Sequence, residues 1–282
     1  MTDTPAPLPP VSDADIADLA SSPTLLVALD VDGTLADFSP DPLSVRLVPG
    51  SDRAVRQLCR MPGTTVMLLS GRDLRQLRII TGFEPLEFPG PDDVRLVGSH
   101  GAEPAEKDAD ADGSPDMLTP AQVALLERIT AVAEEQASRD EGLWVEYKPY
   151  SRGLHRRTAV DAAEGLAATE ALRAAVQDLP GVTLTVGKAI LEVAVTDMTK
   201  GRYLQWYTEA TRPDRVVFIG DDLTDETALR VLRPGDVGVK VGDGETAAIR
   251  RVAGTAEVAD VLRRLTDARS LHNADRDAPA QS

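Results

Sequence analysis

The sequence predicts an α/β protein with a Rossmann-like parallel sheet and an inserted α+β domain. Towards both ends of the chain, short apolar runs that suit strands buried on both faces alternate with helix-like segments. Such alternation is typical of a parallel sheet that helices cover on both sides. In the middle of the chain, apolar and polar residues alternate along the predicted strands, which indicates an antiparallel sheet with one polar face.

The parallel domain is predicted to begin with two buried strands, TLLVALD from Thr24 and TTVMLLS from Thr64. Ligands in such folds bind beyond the carboxyl ends of the strands, so the residues that follow each strand are candidate site residues. The remaining predicted elements of this domain are strands at VRLVGS, RVVFIG and DVGVKVG, and helices over 51–60, 72–80, 200–210, 224–231 and 256–268.

The inserted domain is predicted over residues 104–195, which leaves residues 24–103 and 196–268 for the parallel domain. The insert begins with an acidic loop, KDADADGSPD, and continues with a helix over 120–137. Its predicted strands are LWVEYK, LHRRTAV, VTLTV and AILEVAV. The polar, Pro- and Asp-containing residues 1–23 and 269–282 are predicted to be disordered tails.

Composition and charge restrict the classes of function. Of the 282 residues, 42% are apolar and 27% charged, as in a soluble globular protein, and no apolar run is long enough for a membrane span. The net charge of −16 repels nucleic acid and anionic lipid, so neither is an expected partner. The single cysteine, Cys59, suits a buried helix face in a reducing compartment. Since the N-terminal residues lack a signal-peptide pattern, a cytoplasmic location is expected, and the sequence is compatible with a monomer.

Pairs of carboxylates follow two of the predicted buried strands. Asp30 and Asp32 lie in LDVDGTL, and Asp221 and Asp222 lie in GDDLTDE. Hard carboxylate oxygens from two strand ends suit Mg²⁺, which takes few protein ligands and leaves room for substrate oxygens and water. Alternatively, GDDLTDE is an acidic loop that caps the helix after it, but two such loops at strand ends favour the metal site.

Two turns beside these carboxylates predict an anion site. Gly33 permits a sharp turn close to a ligand, and the hydroxyl of Thr34 can donate to a phosphate. In LLSGR, Ser70, Gly71 and Arg72 end the second strand beside a helix N-terminus, which attracts anions. The alternative for Ser70 is a plain helix N-cap.

Lys200 follows the antiparallel segment and opens a helix in TDMTKGRYL. A lysine there can neutralise a phosphate and a nucleophile, although taken alone it is more often a solvated surface lysine. Phosphate monoester hydrolysis needs a nucleophile, charge neutralisation and protonation of the leaving group. Two carboxylate pairs, a hydroxyl and a cation can provide all three.

The segments DVDGTL, LLSGR, Lys200 and GDDLTDE resemble, in order, the four motifs of the haloacid-dehalogenase superfamily of phosphatases. The resemblance covers residues 24–103 and 196–268. It implies that Asp30 is the nucleophile that carries a phospho-aspartate, and that Asp32 protonates the leaving oxygen and then activates water. Spacing alone does not say which aspartate has which role. Ser70 and Lys200 are similar to the phosphate-binding groups of that family.

The same resemblance implies a Mg²⁺ cofactor and a cap. Asp30, the backbone carbonyl of Asp32, and Asp221 are similar to the metal ligands, with Asp222 in support. The insert between the second and third motifs resembles a cap that closes over the site, excludes water and selects the substrate.

A narrower resemblance, to the trehalose-6-phosphate phosphatase family, spans nearly the whole predicted folded part. The segments SGRDLRQL, GSHGAE, VEYKPYSRGLHRR, GKAILEV and GDDLTDE carry it. It implies a small-molecule sugar phosphate as the partner, and period-two spacing is expected to bring each pair of sugar-binding residues onto one strand face. The residues that match the sugar-binding patterns of the family are Glu146 and Lys148, His155 and Arg157, and Lys188 and Glu192.

Several alternatives stay open at this level. The charged residues of the insert also suit a solvated sheet face, and His100 in GSHG either contacts substrate or holds a turn. Other capped sugar phosphatases, for sucrose phosphate or mannosyl-phosphoglycerate, differ only in the cap. A non-catalytic sugar-phosphate sensor is disfavoured because Asp30, Asp32 and Lys200 are all present. A Ca²⁺ module would cluster its oxygen ligands in one loop.

Overall fold

The computed structural model describes residues 8–39, 41–105 and 118–277, with the backbone alone for 275–277. These residues fall into two compact units, one with residues 8–105 and 199–277 and the other with residues 118–198. The second unit therefore ends three residues later than the predicted insert. The whole of the predicted acidic loop, KDADADGSPD, lies outside the described residues. In the part of the chain that is described, no helix combines the length and apolar character needed to cross a membrane.

The elements alternate along the larger unit as the sequence predicts. In chain order, the strands are β1 (Leu25–Leu29), β2 (Thr64–Leu69), β3 (Arg95–Gly98), β4 (Glu103–Pro104), β5 (Trp144–Tyr147), β6 (Ser151–His155), β7 (Thr183–Val186), β8 (Ile190–Ala194), β9 (Arg215–Gly220), β10 (Val237–Val241) and β11 (Arg250–Val252). The helices are α1 (Asp13–Ser21), α2 (Pro49–Leu58), α3 (Leu74–Thr81), α4 (Pro120–Ala137), α5 (Ala162–Val176), α6 (Lys200–Thr211), α7 (Glu226–Leu229) and α8 (Thr255–Asp277).

The sheet of the larger unit has the strand order β11-β10-β9-β1-β2-β3-β4. All neighbouring strands pair in parallel except β3 and β4. In the centre, Leu29 of β1 lies opposite Leu68 of β2 and Ile219 of β9, so these three strands end side by side at one edge. The predicted parallel α/β fold is confirmed, and the structure adds the edge strands β4 and β11.

The core of this unit forms where one face of the sheet packs on helices. Every residue of β1 is buried, and Val27, Val217 and Val239 from three adjacent strands belong to one apolar cluster. Helices α1, α2 and α8 pack together on this cluster. Burying each aliphatic side chain contributes about 1.5–3 kcal/mol, so the strand ends that carry the site rest on a rigid base.

The predicted disorder of the N-terminal residues up to 23 is wrong for helix α1. Ser12 and Asp15 form a capping box at its start, in which each side chain accepts a hydrogen bond from the backbone N–H of the other. The residues Ile16, Leu19 and Ala20 recur at helical spacing and are buried. Their apolar stripe outweighs the polar composition that suggested a tail.

The predicted disorder from residue 269 onward is also wrong as far as Asp277, because α8 continues to that residue. Arg269 is fully buried and donates hydrogen bonds to the carbonyl oxygens of Ala20, Ser22 and Gly63. These bonds join α8 to the segment before β1 and to the start of β2. Residues 1–7 and 278–282 lie outside the described part.

The smaller unit is an antiparallel sheet, β5-β6-β8-β7, with helices α4 and α5. The sequence did not predict α5, whose Ala-rich segment has a buried stripe that includes Ala168, Leu172 and Val176. Leu154, Leu191 and Val193 of the sheet join them in the apolar core. The face of the sheet away from this core carries polar side chains.

Candidate active site

Three carboxylates meet at the edge of the parallel sheet. Asp30 directly follows β1, and its N–H donates to the carbonyl of Ile219 in β9 at 3.0 Å. Asp221 directly follows β9. Asp30, Asp221 and Asp225 each present a carboxylate oxygen, and these oxygens lie within 4.8 Å of one another. The strand order that brings β1 and β9 together therefore creates the acidic cluster.

Gly33 lets the turn after β1 approach the loop after β9. Its φ angle is +77°, in the left-handed region that favours glycine. A Cβ atom at this position would lie 2.2 Å from Oδ2 of Asp221, which no real side chain tolerates. A larger residue would therefore displace the Asp221 carboxylate from the cluster.

Lys200 is the first residue of α6 and lies between two of these carboxylates. Its Nζ donates to Oδ1 of Asp30 and to Oδ1 of Asp225, at 2.6 Å each. The lysine is buried, so the alternative of a solvated surface lysine is wrong. Thr199 caps the helix by accepting from the N–H of Arg202, which fixes where the helix and its lysine begin.

The protonation of the cluster follows from its crowding. Burial, together with the carboxylate of Asp225, raises the pKa of Asp30 well above its usual range. Burial and the same neighbour raise the pKa of Asp221 to about 6. Burial disfavours the charged form of Lys200, but the Asp225 and Asp30 carboxylates outweigh it and raise the pKa of the lysine. An excess of buried negative charge and hard oxygen donors fits a divalent cation, so these residues could hold one.

Asp225, rather than Asp222, belongs to the cluster. Asp222 is exposed, and its Oδ1 accepts from the N–H of Leu223, so it is not one of the three residues that form the cluster, and its supporting role stays a prediction. Asp225 is fully buried, and its Oδ2 accepts from the N–H groups of Asp221 and Asp222 at 2.9 Å. Its side chain makes no hydrogen bond to α7, so the alternative of a simple helix cap fails.

Asp32 and Arg72 form an ion pair beside the cluster. The Nε and Nη2 atoms of Arg72 each donate to one carboxylate oxygen of Asp32, both at 2.6 Å. The same guanidinium also donates to the carbonyl of Pro42. Arg72 was predicted to bind substrate, but in this structure it holds Asp32. Thr34, by contrast, is buried and donates to Oδ2 of Asp30 at 3.5 Å.

The loop after β2 contacts His100. Ser70 is buried and is not a helix cap, because Asp73 caps α3 by accepting from the N–H of Gln76. The N–H of His100 donates to the carbonyl of Ser70, and a Cβ atom on Gly71 would lie 2.5 Å from Cε1 of the histidine ring. The ring therefore covers the Ser70–Gly71 turn, which brings His100 next to the predicted phosphate-binding residues.

His100 also has an unusual backbone. The φ angle is +57° at His100 and +49° at Ser99 before it. Positive values are uncommon for residues with side chains. The Ser99 N–H donates to the carbonyl of Arg72, and Glu103 accepts from the Ser99 hydroxyl. These bonds hold the strained turn against the loop after β2, and such strain often accompanies functional sites.

In the smaller unit, four predicted sugar-binding residues share one polar face. Oε2 of Glu192 accepts from Nζ of Lys148 at 2.9 Å, and Oε2 of Glu146 lies 3.8 Å from the same nitrogen. Nε2 of His155 lies 3.2 Å from Oε2 of Glu146. In the sheet register, Gly153 separates Glu146 from Glu192, which leaves space for both carboxylates to reach the lysine.

Arg157 and Lys188 do not share this strand geometry. Strand β6 ends at His155, so Arg157 lies in the turn after it and is exposed. Lys188 is exposed in the turn between β7 and β8. The predicted period-two pairing with His155 and Glu192 is therefore wrong for both, because the strands are shorter than the polar pattern suggested.

Sequence reasoning missed two residues of the polar face. The Trp144 ring stacks on the His155 ring, with centroids 3.8 Å apart and planes inclined by 2°. Its position two residues before Glu146 on β5 was the available signal, because alternate residues of a strand share a face. The hydroxyl of Ser151 donates to Oε1 of Glu192 at 2.7 Å. Ser151 could not be found in this way, because the predicted strand began at Leu154.

Comparisons with known proteins agree with this architecture. A family model described as trehalose-phosphatase matches residues 28–261. The trehalose-phosphate phosphatase of Mycobacterium tuberculosis strain H37Rv is 32% identical over 260 residues, which are 88% of this chain and 62% of that relative. The C-terminal domain of Candida albicans trehalose-6-phosphate phosphatase aligns with a TM-score of 0.76 at 22% identity, covering 94% of this chain and 99% of that one. A haloacid dehalogenase-like hydrolase from Bacteroides thetaiotaomicron aligns with a TM-score of 0.58 at 17% identity, covering 86% and 99%.

The parallel sheet with its acidic strand ends, the inserted α+β unit and these structural neighbours define the fold of the haloacid-dehalogenase superfamily of hydrolases. Within that superfamily, the match over most of the chain shows that it belongs to the trehalose-phosphatase family. The family expected from the motifs is thereby confirmed. The chain spans about 62% of the length of the curated relatives that it matches.

Proposed function

We propose that this chain hydrolyses trehalose 6-phosphate to trehalose and inorganic phosphate, with Mg²⁺ as its divalent cation. The observation that carries the proposal is the buried contact of Lys200 with Asp30 and Asp225, beside Asp221. Hydrolysis of a phosphate monoester is extremely slow without catalysis, so fixed charges around a nucleophile are required. Membership of the trehalose-phosphatase family supports the choice of substrate.

In the first step, a carboxylate oxygen of Asp30 attacks the phosphorus atom. The bond from phosphorus to the sugar oxygen breaks, and that oxygen takes a proton from Asp32. In the second step, Asp32 takes a proton from water, whose oxygen attacks phosphorus and releases Asp30 and inorganic phosphate. Both carboxylate oxygens of Asp32 accept hydrogen bonds from Arg72. One of these oxygens must therefore break its bond to Arg72 when substrate binds.

Lys200 and the metal site offset negative charge during these steps. Lys200 holds one oxygen of Asp30, which orients the other towards substrate, and Ser70 contributes a hydroxyl to the phosphate. When bound, Mg²⁺ would supply positive charge to the phosphate and would be held by Asp30, the Asp32 carbonyl and Asp221. Both oxygens of Asp225 already accept hydrogen bonds from the protein, so we assign Asp225 a supporting role.

The polar face of the smaller unit is the proposed sugar-recognition surface. Glu146, Lys148, His155 and Glu192 offer donors and acceptors that match the many hydroxyls of a disaccharide. They contact one another in this structure, and a sugar would replace part of these contacts. Arg157 and Lys188 remain proposed sugar contacts as exposed residues of the adjoining turns.

No described contact favours a sucrose-phosphate or mannosyl-phosphoglycerate phosphatase or a non-catalytic sensor. A sensor would not need the buried Asp30–Lys200 pair. We also propose that the protein is a monomer and that it is located in the cytoplasm. A single buried cysteine, Cys59, is in keeping with a reducing compartment.

The test is phosphate release from a panel of sugar phosphates, with and without Mg²⁺. We expect trehalose 6-phosphate to give the highest kcat/KM, and chelation of the metal to abolish turnover. Asp30→Asn serves as the matched inactive control, because it keeps the shape of the side chain. Preference for another sugar phosphate would reject the assigned substrate, and binding without turnover by the wild-type protein would indicate a sensor.

A further inference from the structure

A buried lysine that the proposed mechanism does not use lies beside the acidic cluster. Lys240 is the fourth residue of β10, in which every position is buried, and it lies opposite Gly220 of β9. Val239 and Val241 on either side of it pack into the apolar core, so the lysine points to the other face of the sheet. Only 4% of its surface is exposed.

The hydrogen bond of Lys240 is made to the backbone of a proposed metal ligand. Its Nζ donates to the main-chain carbonyl of Asp221. Among the described residues, no carboxylate lies within 4.0 Å of this nitrogen. Burying an ammonium group costs several kcal/mol, and lysines are rarely this buried unless they are paired with a charge. A lone carbonyl offsets little of that cost, which points to a local function for the lysine.

Asp225 holds the same residue from the opposite side. Its Oδ2 accepts from the N–H groups of Asp221 and Asp222 at 2.9 Å, while Lys240 binds the carbonyl of Asp221. The two peptide groups that flank the Asp221 Cα atom are thus both held by buried charged side chains. Together they fix the direction in which the Asp221 side chain leaves the backbone, towards Asp30.

We propose that Lys240 is a positioning residue for the divalent cation, because it holds the backbone of Asp221 so that its carboxylate faces the site. This inference rests on the metal site of the proposed function, but not on the identity of the sugar. Outer residues that orient metal ligands typically account for 10- to 100-fold of the metal affinity.

The direction of the effect separates positioning from a simple charge effect. If Lys240 acted only through its charge, its removal would relieve repulsion and tighten the binding of a divalent cation. If it acts by holding Asp221, its removal frees the carbonyl, lets the loop relax and weakens binding. A role in stability alone would lower the Tm without changing the affinity of the folded protein for metal.

The test is equilibrium binding of Mn²⁺ to the substrate-free protein, followed by electron paramagnetic resonance, and the shift of Tm that Mg²⁺ induces. We expect Lys240→Met to weaken Mn²⁺ binding about tenfold, and Lys240→Arg, which keeps a cationic donor, to recover part of that loss. Arg230→Met is the matched control, because it removes an exposed cation of the same unit and should leave binding unchanged.

Unchanged or tighter Mn²⁺ binding by Lys240→Met would overturn the inference, as would equal weakening in Arg230→Met. If Lys240→Met does not fold, the same titration of Lys240→Gln decides by the same criterion. Failure of the wild-type protein to bind Mn²⁺ would instead reject the metal site itself. Phosphate release from trehalose 6-phosphate by the wild-type protein tests the substrate separately.

Discussion

The acidic cluster at the strand ends and the polar face of the smaller unit both combine carboxylates with a lysine, but they differ in how closely the lysine is held and in how far its partners are buried. In the cluster, Lys200 makes two contacts of 2.6 Å and both of its partners are buried. On the polar face, Lys148 lies at 2.9 and 3.8 Å from its two carboxylates, and Glu146 and His155 are partly open to solvent.

This difference corresponds to two tasks. A reacting phosphate requires charges that are already in position, since reorganising them during the reaction would raise the barrier. A sugar has many similar hydroxyls, and side chains that bind one another can exchange those bonds for bonds to the ligand. We therefore expect changes in the cluster to affect catalysis on every substrate, and changes on the polar face to affect the sugar selectively.

The largest effect is expected for Asp30→Asn. The variant removes the nucleophile while keeping its size, so turnover should fall by more than about 1,000-fold on both trehalose 6-phosphate and a small phosphate ester. The Tm should stay close to that of the wild type, because the amide can still accept from Lys200. Turnover like that of the wild type would refute the assigned role of Asp30.

A selective effect is expected for Glu192→Ala. This change removes the partner of Lys148 and Ser151, so kcat/KM for trehalose 6-phosphate should fall roughly 10- to 100-fold. With p-nitrophenyl phosphate, which has no sugar, the same variant should stay within about threefold of the wild type. An equal loss on both substrates would argue against a sugar-binding face.

The sequence predicted the places of Asp30 and Asp221 well because both residues directly follow strands, and it predicted Lys200 at the start of a helix. A buried strand imposes a strong apolar pattern, and the order of parallel strands brings their carboxyl ends together whatever the loop details. Asp30, Lys200 and Asp221 could therefore be assigned from the pattern and the family resemblance. The roles of Asp222 and Asp225 depend on how one loop folds back on itself, which no periodicity reports.

The polar face was less predictable for a physical reason. Short antiparallel strands end wherever their register allows, so a polar residue two positions beyond the end, such as Arg157 after β6, need not share the face. For this reason Arg157 and Lys188 fall outside the predicted pairs. Ser151 was missed because β6 begins three residues before the predicted strand. The prediction of disordered tails was wrong for a different reason. It was based on polar composition and did not take account of the three buried apolar residues of α1. Arg269 is buried, and its carbonyl partners are far away in the sequence, so no local pattern predicts their contact.

A smaller, pH-dependent effect tests the charge of the cluster. In the metal-free protein the pKa of Asp221 is raised to about 6, so the folded state takes up this proton at a higher pH than the unfolded chain. This group therefore stabilises the metal-free fold below its unfolded pKa, and that contribution is lost as the pH rises through about 6. Because protons compete with metal, the Tm increase on adding Mg²⁺ should be larger at about pH 7.5 than at about pH 5.5.

Asp221→Asn is the matched control for the pH effect. It lacks the titrating carboxylate, so both the Mg²⁺-induced shift and its dependence on pH should shrink. Thermal unfolding followed by circular dichroism gives the Tm of each protein at both pH values, with and without Mg²⁺. The same Mg²⁺-induced shift for the wild type at both pH values would contradict the assigned charge state of the cluster.

The smallest effect is expected when Trp144 is replaced. Among the interactions described above, its single contact with the other residues of the polar face is the stack on His155. Losing the stacked ring in Trp144→Ala should free His155 from its position beside Glu146 and raise KM for trehalose 6-phosphate about 3- to 10-fold, with little change in kcat. Trp144→Phe keeps an aromatic partner and should retain most of the affinity.

In a Trp206→Phe background, Trp144 is the single tryptophan, so its fluorescence should respond to trehalose if the sugar binds this face. A KM unchanged in Trp144→Ala would mean that the stack is incidental, and that the carboxylates and Lys148 recognise the sugar without it.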